Sequence, residues 1–323
     1  MSNKIRIGVL MGGSSAEREI SYRSANNIVS ALDTDKYTVS CYDIPINDSS
    51  WIERLLSDRP DIVLIALHGG KGENGGVQGV LSCLGIPFVG SGVTASALCM
   101  DKALCKTVME SAHIPVIEGF CVRRGSAVPN PTIDESAART GYPLIVKPNN
   151  GGSSLGIAIV NNADELNGAI NSIFEKFDDD ALVEKYISGR EVTCAVIEGE
   201  SEPEVISVLD INKSGGIFDY KAKYEDKEWS GGISNLPPYM QATIKGIAKK
   251  AFALLGCRGY ACVDMILVEE QVYVIEVNTL PGMTAQSLIP NAVKALGMEH
   301  GLGSFIDRLI EKELGLGLGE NNE

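Results

Sequence analysis

The chain has 323 residues, which corresponds to about two or three domains of ~100–200 residues each. Hydrophobic residues make up 44% and charged residues 22%, so the composition excludes a disordered or low-complexity protein. Lys and Arg number 28 and Asp and Glu 42, and the resulting net charge of −14 argues against a general nucleic-acid binder or a protein that binds anionic membranes.

The amino-terminal residues pass directly into a strand pattern, without the charged and apolar regions of a signal peptide. No uninterrupted apolar run approaches the ~18 residues of a membrane span. The eight cysteines include no C-x-x-C pair, and most lie in apolar surroundings. We therefore expect buried thiols without a disulfide framework or a zinc site, in a cytoplasmic protein with no membrane partner.

Strand and helix patterns alternate in the first part of the chain, which favours a parallel sheet covered on both faces. The fingerprint G-x-G-x-x-G is absent, so a nicotinamide-dinucleotide site is not indicated. The predicted strands are Ile5–Leu10, Tyr37–Tyr42, Ile62–Leu67 and Pro87–Val89, and the predicted helices are 16–32, Trp51–Ser57 and Gln78–Leu84.

From about residue 95 the pattern changes to hairpins and longer helices, typical of an α+β arrangement. One helix is predicted over Ala95–Ser111, and a hairpin is predicted from Leu144–Lys147 and Gly156–Val160. Further helices are expected at Ala163–Phe177, 239–255 and 304–313, and further strands at Leu182–Tyr186, Glu191–Ile197 and Glu204–Asp210. A long polar loop covers 212–238, and the tail from 315 is polar.

The most informative segment is a predicted hairpin over 262–278, centred near Glu270. A symmetric turn there places Asp264 opposite Glu276 and Cys262 opposite Asn278, all on one face of the sheet. Two opposed carboxylates repel by about 4 kcal/mol at ~4 Å and an effective dielectric of ~20. A solvated face would tolerate them, but the flanking residues are apolar, and two carboxylates with an amide oxygen suit magnesium that carries phosphates.

Lys147 ends a buried strand and is followed by a loop of small polar residues, 149–154. Its backbone N–H groups and hydroxyls could hold phosphate oxygens beside the lysine, or the loop could be a plain hairpin turn. The segment 183–191 carries two carboxylates and an amine that could bind adenine and ribose, although such a segment is more often a surface linker.

Two polar residues lie at predicted strand ends, where ligands bind open parallel sheets. Glu17 follows a Gly/Ser turn at a helix amino terminus, so it is either a ligand-binding residue or a carboxylate favoured by the helix dipole. His68 directly follows the strand Ile62–Leu67 and has loop packing as its alternative role. The loop 218–224 is either a solvated connection or a lid that excludes water.

Taken in order, these segments resemble the D-alanine–D-alanine ligase family of the ATP-grasp superfamily over nearly the whole chain. The resemblance rests on a series of different motifs that are distributed along the whole sequence. They are Gly12-Gly13-Ser14-Ser15-Ala16-Glu17-Arg18-Glu19, Ala66-Leu67-His68-Gly69, Gly90-Ser91-Gly92, Met100-Asp101-Lys102, Val146-Lys147-Pro148, Gly152-Ser153-Ser154, Glu184-Lys185, Lys223-Tyr224, Glu276-Val277-Asn278-Thr279-Leu280-Pro281-Gly282-Met283-Thr284 and Ser287-Leu288.

The resemblance implies an α/β protein with a three-domain ATP-grasp fold. Its parts would be an N-terminal parallel-sheet domain over 1–96, a central subdomain over 97–185, a C-terminal α+β domain over 186–315 and a tail over 316–323. ATP would lie between the last two domains. An amino-acid carboxylate would attack the γ-phosphate, and the amine of a second amino acid would displace phosphate from the acyl phosphate. The implied product is a D-alanyl-D-alanine type dipeptide for peptidoglycan, made by a homodimer.

The resemblance also implies roles for individual residues. Phosphate contacts would come from Lys102, Lys147, Ser154 and Lys223, and adenine and ribose contacts from Glu184, Lys185, Ile187 and Glu191. Two magnesium ions, with Mn²⁺ as an alternative, would be held by Asp264, Glu276 and Asn278. The first substrate would meet Glu17, linked to Ser153 and Tyr224 with His68 nearby, and the second would meet Lys223, Ser287 and Leu288 with the Gly282 N–H at the oxyanion.

Two departures from the family pattern leave the second substrate open. The family has an arginine where this chain has Cys262, and losing one contact to a developing charge commonly costs about 10²–10³ in rate. Arg258 is close in sequence but precedes the strand, and the loop 225–236 lacks the usual Pro-Ala ending. The alternatives are a paralogous ligase that joins a different amine or carboxylate, and a nucleotide-binding protein with little catalysis.

Overall fold

The computed structural model describes residues 4–45, 48–125, 133–211, 232–295, 297 and 301–316. Helices and strands in these ranges form three four-stranded sheets with helices packed on them. The strands are β1 Ile5–Gly12, β2 Tyr37–Ile44, β3 Ile62–Ile65, β4 Phe88–Val89, β5 Gly119–Val122, β6 Leu144–Pro148, β7 Ala158–Val160, β8 Ala181–Lys185, β9 Arg190–Ile197, β10 Glu204–Asp210, β11 Tyr260–Val268 and β12 Gln271–Asn278. The helices are α1 Arg18–Ala31, α2 Ser50–Asp58, α3 Gly70–Glu73, α4 Gly76–Leu84, α5 Val93–Met100, α6 Lys102–Ser111, α7 Ile133–Thr140, α8 Ala163–Lys176, α9 Pro238–Leu254, α10 Leu288–Ala295 and α11 Leu302–Glu313.

The first sheet has the order β2-β1-β3-β4, and all its neighbouring strands are parallel. This confirms the prediction from strand–helix alternation. The strand β3 ends at Ile65, two residues earlier than predicted, so residues 66–69 already form the loop at the carboxyl edge. The turn after β1 lies at the same edge, because parallel strands all end on one side.

The middle sheet has the order β5-β8-β6-β7 and is antiparallel. The predicted hairpin of β6 and β7 is confirmed, with Leu144 opposite Val160 and Val146 opposite Ala158. The strand β5 and the helix α7 were not predicted, because prolines and short apolar runs hide both patterns in the sequence.

The third sheet has the order β10-β9-β11-β12, and the hairpin of β11 and β12 forms its edge. Cys262 pairs with Asn278 and Asp264 with Glu276, as predicted. The symmetric turn was wrong, because beyond Asp264 the pairing shifts so that Met265 faces Val274. A bulge at Ile275 and a turn at Glu269 with φ of 53° together produce the predicted pairing near the end of β12.

The predicted helix over Ala95–Ser111 is two helices, α5 and α6, which meet at Asp101. Asp101 has an extended backbone, and its carboxylate accepts the Leu104 N–H at 3.0 Å as the N-cap of α6. The Asn149 side chain donates to the same oxygen at 2.8 Å. The break starts a new helix at Lys102 and fixes that residue beside the loop after β6.

The apolar core of the first sheet extends into the carboxyl-terminal residues. Leu280, Met283 and Phe305 belong to the same buried cluster as Val9 and Leu64. A second cluster lies between the third sheet and α9, and a third lies between the middle sheet and α8. No helix in the described residues has the length and apolar character needed to cross a membrane.

No disulfide joins any of the eight cysteines, all of which lie in described residues. Five are buried, as predicted, but Cys41 on β2 and Cys83 on α4 are exposed. Cys262 is buried at the β11 position opposite Asn278.

Candidate active site

Two clefts meet at the edge of the third sheet. The first cleft lies among the first sheet, the loop after β6 and residues 280–288, and the second lies between the middle and third sheets. Asp264, Glu276 and Ile211 line both clefts. Groups bound in the two clefts would therefore meet at the two carboxylates.

Asp264 and Glu276 are paired across the hairpin, as predicted, and both line the two clefts, where nearby donors offset the repulsion of their carboxylates. The Asn278 amide donates to Asp264 Oδ2 at 3.1 Å, and Lys102 Nζ lies 3.4 Å from Glu276 Oε2. Lys102 also donates to the Gly151 carbonyl at 2.5 Å. The structure thus brings together the three residues predicted to hold metal and one predicted to hold phosphate.

Two carboxylates and one amide oxygen form a hard donor set, which fits a divalent cation that also binds phosphate oxygens. No group of three or more His, Cys, Asp or Glu side chains in the described residues could hold a metal ion by itself. Asn278 or phosphate oxygens would therefore have to complete the coordination sphere.

A buried ion-pair cluster forms the inner wall of the second cleft. The Glu184 carboxylate, 1% exposed, contacts Lys147 Nζ at 2.6 Å and also pairs with Lys106. Burial alone would raise the pKa of Glu184, yet the two ammonium groups hold it below its usual range. Burial alone would lower the pKa of Lys147, yet the carboxylates of Glu184 and Glu276 raise it.

The loop after β6 contacts both clefts. Ser153 and Ser154 have φ of 50° and 56°, in the left-handed region, and Ser154 lines the second cleft. The Ser153 hydroxyl donates to Glu17 Oε1, which joins this loop to the first sheet. A Cβ on Gly152 would lie 3.0 Å from the other Glu17 oxygen, so a glycine permits this approach.

His68 lines the first cleft, is buried, and has a hydrogen-bond partner at each ring nitrogen. Its Nδ1 lies 3.0 Å from the Leu280 carbonyl and must donate, so Nε2 accepts from the Ser24 hydroxyl at 2.8 Å. Ser24 in turn accepts the Met283 N–H at 3.1 Å. Burial lowers the pKa of His68, which agrees with a neutral ring, although the Glu17 carboxylate opposes the shift.

Glu73 lines the first cleft and was not predicted. Its carboxylate accepts the Gly69 N–H at 3.0 Å and the Leu280 N–H at 3.3 Å, so it joins two loops of the cleft. Burial, aided by the Glu17 carboxylate, raises the pKa of Glu73 to about 7. A glutamate in a glycine-rich loop resembles a solvated surface residue, so the sequence carries no signal that distinguishes Glu73.

Gly282, Ser287 and Leu288 line the far side of the first cleft. Ser287 Oγ lies 2.8 Å from Thr284 Oγ1 and accepts the Thr284 N–H at 3.0 Å. A Cβ on Gly282 would lie 2.7 Å from Ser287 Oγ, so a larger residue would displace this hydroxyl.

The remaining predicted nucleotide residues Lys185, Ile187 and Glu191 line the second cleft. The Lys185 ammonium donates to the Gly141 and Tyr142 carbonyls at 2.8 and 3.1 Å, which fixes its position. Lys223 and Tyr224, with the predicted lid loop, lie outside the described residues.

Comparison with known proteins places this site in a family. The protein-family model described as "D-ala D-ala ligase C-terminus" matches residues 108–311. The family model described as "D-ala D-ala ligase N-terminus" matches residues 6–60. The chain belongs to the D-alanine–D-alanine ligase family. It therefore has the ATP-grasp fold, in which the second cleft lies between two of the sheets.

The relatives are similar along their whole length. A D-alanine–D-alanine ligase of Bacillus anthracis is 36% identical over 96% of this ligase and 97% of its own chain. D-alanine–D-alanine ligase B of Clostridium perfringens is 39% identical over 96% of this chain and 98% of its own.

Solved structures of the family superimpose closely on this ligase. The ligase of Bacillus anthracis complexed with ATP has a TM-score of 0.81 at 32% identity, covering 97% of this chain and 98% of its own. The D-Ala:D-Ser ligase of Enterococcus faecalis has a TM-score of 0.81 at 31% identity, covering 97% and 99%.

Cys262 lines the first cleft beside Asp264, as the hairpin register predicted. The guanidinium of Arg258 does not enter this cleft: it pairs with Glu313 at 2.7 Å, with half of its side chain exposed. Arg258 therefore does not replace the arginine that the resemblance leads us to expect at Cys262.

Proposed function

We propose that this chain is an ATP-dependent, ADP-forming ligase that joins two molecules of D-alanine into a D-alanyl-D-alanine type dipeptide for peptidoglycan synthesis. The observation that supports this best is the pair Asp264 and Glu276 at the junction of the two clefts. A phosphoryl donor in the second cleft and an amino-acid acceptor in the first would meet at these carboxylates.

The carboxylate of the first amino acid attacks the γ-phosphorus of ATP, which gives an acyl phosphate and ADP. The Glu17 carboxylate, oriented by Ser153, binds the ammonium of this substrate in the first cleft. The neutral His68 ring supports the loop at residue 280 without adding a competing charge. Glu17 therefore selects an α-amino acid and fixes which oxygen meets the phosphate.

Phosphate oxygens are bound by Lys102, Lys147 and Ser154, together with Lys223. Asp264, Glu276 and Asn278 would hold two magnesium ions, which would neutralise phosphate charge; Mn²⁺ would suit the same oxygen donors. Lys102 then keeps its contact with the Gly151 carbonyl and is positioned beside the phosphates. Ile187, Lys185 and Glu191 hold the adenosine end of the second cleft, with Glu184 on its inner wall.

The amine of the second amino acid attacks the acyl carbon, phosphate leaves, and the amine loses one proton. Ser287, beside Leu288, binds its carboxylate, and the family resemblance assigns Lys223 to the same carboxylate and Tyr224 to the link through Ser153 to Glu17. The Gly282 N–H faces the oxyanion of the tetrahedral intermediate, where a donor lowers the barrier by binding developing charge.

A second candidate function is a ligase that joins a different second substrate. The specific observation in its favour is the small Cys262 side chain in the first cleft, with Arg258 directed to the surface. In this case the acyl-phosphate chemistry is retained, and the ligase joins a different amine or carboxylate substrate.

The experiment that separates these functions is phosphate release from ATP with single and paired D- and L-amino acids, with dipeptides identified by mass spectrometry. Release with D-alanine alone supports the main proposal. Release that requires another partner supports the second candidate, and no release with any substrate, while ATP still binds, contradicts both. The variant Cys262→Arg sharpens the result, because it should raise turnover with D-alanine only under the main proposal.

The proposal also places the enzyme in the cytoplasm as a homodimer, as the family resemblance implies. Sedimentation velocity at micromolar concentration tests the dimer, and a monomer at all concentrations would contradict it.

A further inference from the structure

Three buried lysines, the buried Glu184 and the partly buried Glu276 lie along the junction of the two clefts, and one of the lysines has no place in the proposed mechanism. Lys106 lies one helical turn after Lys102 on the buried face of α6. Its ammonium pairs with Glu184 Oε1, and both side chains are at least nine-tenths buried. Lys106 is not among the described residues that line either cleft, whereas Lys147 and Glu184 line the second.

We propose that Lys106 is a positioning residue of the nucleotide site: it is the permanent counter-ion of Glu184, which leaves Lys147 able to turn to a phosphate oxygen. This inference rests on the proposed function, because it takes the second cleft as the nucleotide site.

The charges of the cluster support this division of roles. Glu184 carries one negative charge and has two ammonium partners, one on each carboxylate oxygen. One partner is enough to neutralise it, so the cluster holds one surplus positive charge. Lys147 is the partner that faces the cleft, so it is the one that an incoming phosphate can attract.

Lys106 is held in place by its position in the fold. It extends from α6, which Asp101 caps, to Glu184 on β8 of the middle sheet. Glu184 is itself confined, because it lies opposite Gly119, where a Cβ would come within 2.9 Å of its Cγ. The ion pair between Lys106 and Glu184 is therefore held in position, whether or not Lys147 contacts Glu184.

Without Lys106, the movement of Lys147 to a phosphate would leave Glu184 buried with no counter-ion. Breaking a buried pair in this way is costly, so the cost would appear as weaker nucleotide binding. We expect Lys106→Met to weaken binding of a non-hydrolysable ATP analogue with Mg²⁺ by about 100-fold in calorimetry. The KM for ATP should rise similarly, while kcat and the KM for D-alanine stay within about threefold.

Coupling to Glu184 separates this role from a general loss of structure. In a Glu184→Gln background there is no charge to neutralise, so adding Lys106→Met should leave the affinity of Glu184→Gln unchanged. Lys106→Arg should restore most of the wild-type affinity. Lys249→Met is the matched control, because it removes a lysine from an exposed pair with Glu202 and should leave the affinity unchanged.

The inference is wrong if Lys106→Met binds the analogue as wild type does, or if Lys106→Met weakens binding equally in the Glu184→Gln background. If the single variant does not fold, the comparison of the double variant with Glu184→Gln still decides, since any large loss there contradicts the proposal. Failure of the wild-type protein to bind the analogue would instead contradict the proposed function.

Discussion

At the scale of single residues, the site depends on carboxylates whose charge is controlled by their neighbours. Glu184 has two ammonium partners, Glu276 has Lys102, and Asp264 accepts from Asn278. Glu73 differs, because it accepts two backbone N–H groups, and burial and Glu17 raise its pKa to about 7. The pKa of Glu184 is therefore lowered, whereas that of Glu73 is raised.

We predict that Glu276→Gln lowers Mg²⁺-dependent turnover at least about 100-fold and leaves the fold intact. The amide keeps the shape of the side chain but removes the negative charge that a metal ion and Lys102 require. Steady-state phosphate release and thermal unfolding measure the two effects. Glu270→Gln, at the exposed turn of the same hairpin, is the control, and turnover of Glu276→Gln within tenfold of wild type would rule out the metal assignment.

We predict that the stability of Glu73→Gln, compared with that of wild type, increases as pH rises. The pKa of Glu73 is raised from 4.5 to about 7 by folding, so between these values the folded chain holds a proton that the unfolded chain has lost. The stability from that proton is fully present below pH 4.5 and is lost as pH rises through 7.

The free energy of unfolding of Glu73→Gln minus that of wild type should therefore rise by about 3 kcal/mol between pH 5 and 8. Urea unfolding across this range measures it. Glu53→Gln, on an exposed face of α2, should show a nearly constant difference. A constant difference for Glu73→Gln as well would mean that Glu73 does not keep its proton in the folded protein.

Site residues could be predicted well where they lie together in one short segment of the sequence. Asp264, Glu276 and Asn278 follow from the pattern of a single hairpin, and the structure brings them together as expected. Lys106 and Glu73 could not be found in this way, because Glu184 lies 78 residues from Lys106 and Leu280 lies 207 residues from Glu73. A lysine in a helical pattern and a glutamate in a glycine-rich loop look like solvated surface residues until the packing is known.

At the scale of elements, the break between α5 and α6 shows why the sequence pattern failed there. Residues 95–111 contain neither Gly nor Pro, so no local signal interrupts the helix pattern. The break depends on Asn149, from a distant loop, which donates to the Asp101 carboxylate that also caps α6. The tertiary contact therefore decides where α6 begins and where Lys102 lies.

We predict that Asp101→Ala lowers the free energy of unfolding by about 1–2 kcal/mol and raises the KM for ATP. The cap of α6 is lost, and Lys102 at its first turn becomes less well positioned. Asn162→Ala is the matched control, because it removes the N-cap of α8, which accepts the Glu165 N–H at 3.0 Å.

Both cap variants should lose similar stability in urea unfolding, but only Asp101→Ala should change the KM. Asp101→Asn should restore most of the loss, because its amide oxygen can still accept the Leu104 N–H. Equal KM values for ATP in Asp101→Ala and Asn162→Ala would show that the cap of α6 does not position Lys102 for nucleotide binding.

The hairpin of β11 and β12 also depends on more than its local pattern. The prediction of the pair Asp264 and Glu276 was correct although the assumed turn was not, because the bulge at Ile275 compensates for the off-centre turn. The alternation of apolar residues indicates which residues face the core, here Val272, Val274 and Val277. It does not indicate which residue forms the bulge.

At the scale of the whole molecule, the site is assembled from all three sheets. The first cleft needs the first sheet's loops and residues 280–288, and the second needs the middle and third sheets. The predicted domain boundaries at 96 and 185 stay a proposal. They agree with clefts that lie between sheets, where a ligand would contact more than one predicted domain. Nucleotide binding should therefore stabilise several elements together.

We predict that a non-hydrolysable ATP analogue with Mg²⁺, at about 100 times its Kd, raises the free energy of unfolding by about 2.7 kcal/mol. Hydrogen exchange should show new protection at residues 147–154, 184–191 and 264–278. The strand β2, at the far edge of the first sheet, is the internal control and should not change. Protection confined to the first sheet would contradict the assignment of the second cleft to the nucleotide.

The shared core of the first sheet has a consequence for synthesis on the ribosome. Phe305, Met283 and Leu280 complete the apolar cluster that contains Val9, and Gly303 lies so close to α1 that a Cβ would meet the Ala31 carbonyl at 2.6 Å. A nascent chain that has emerged only as far as the middle sheet still exposes the apolar underside of its first strands. The strands of the first sheet therefore leave the exit tunnel well before residues 280–310, and they reach their native packing only after those residues have been made.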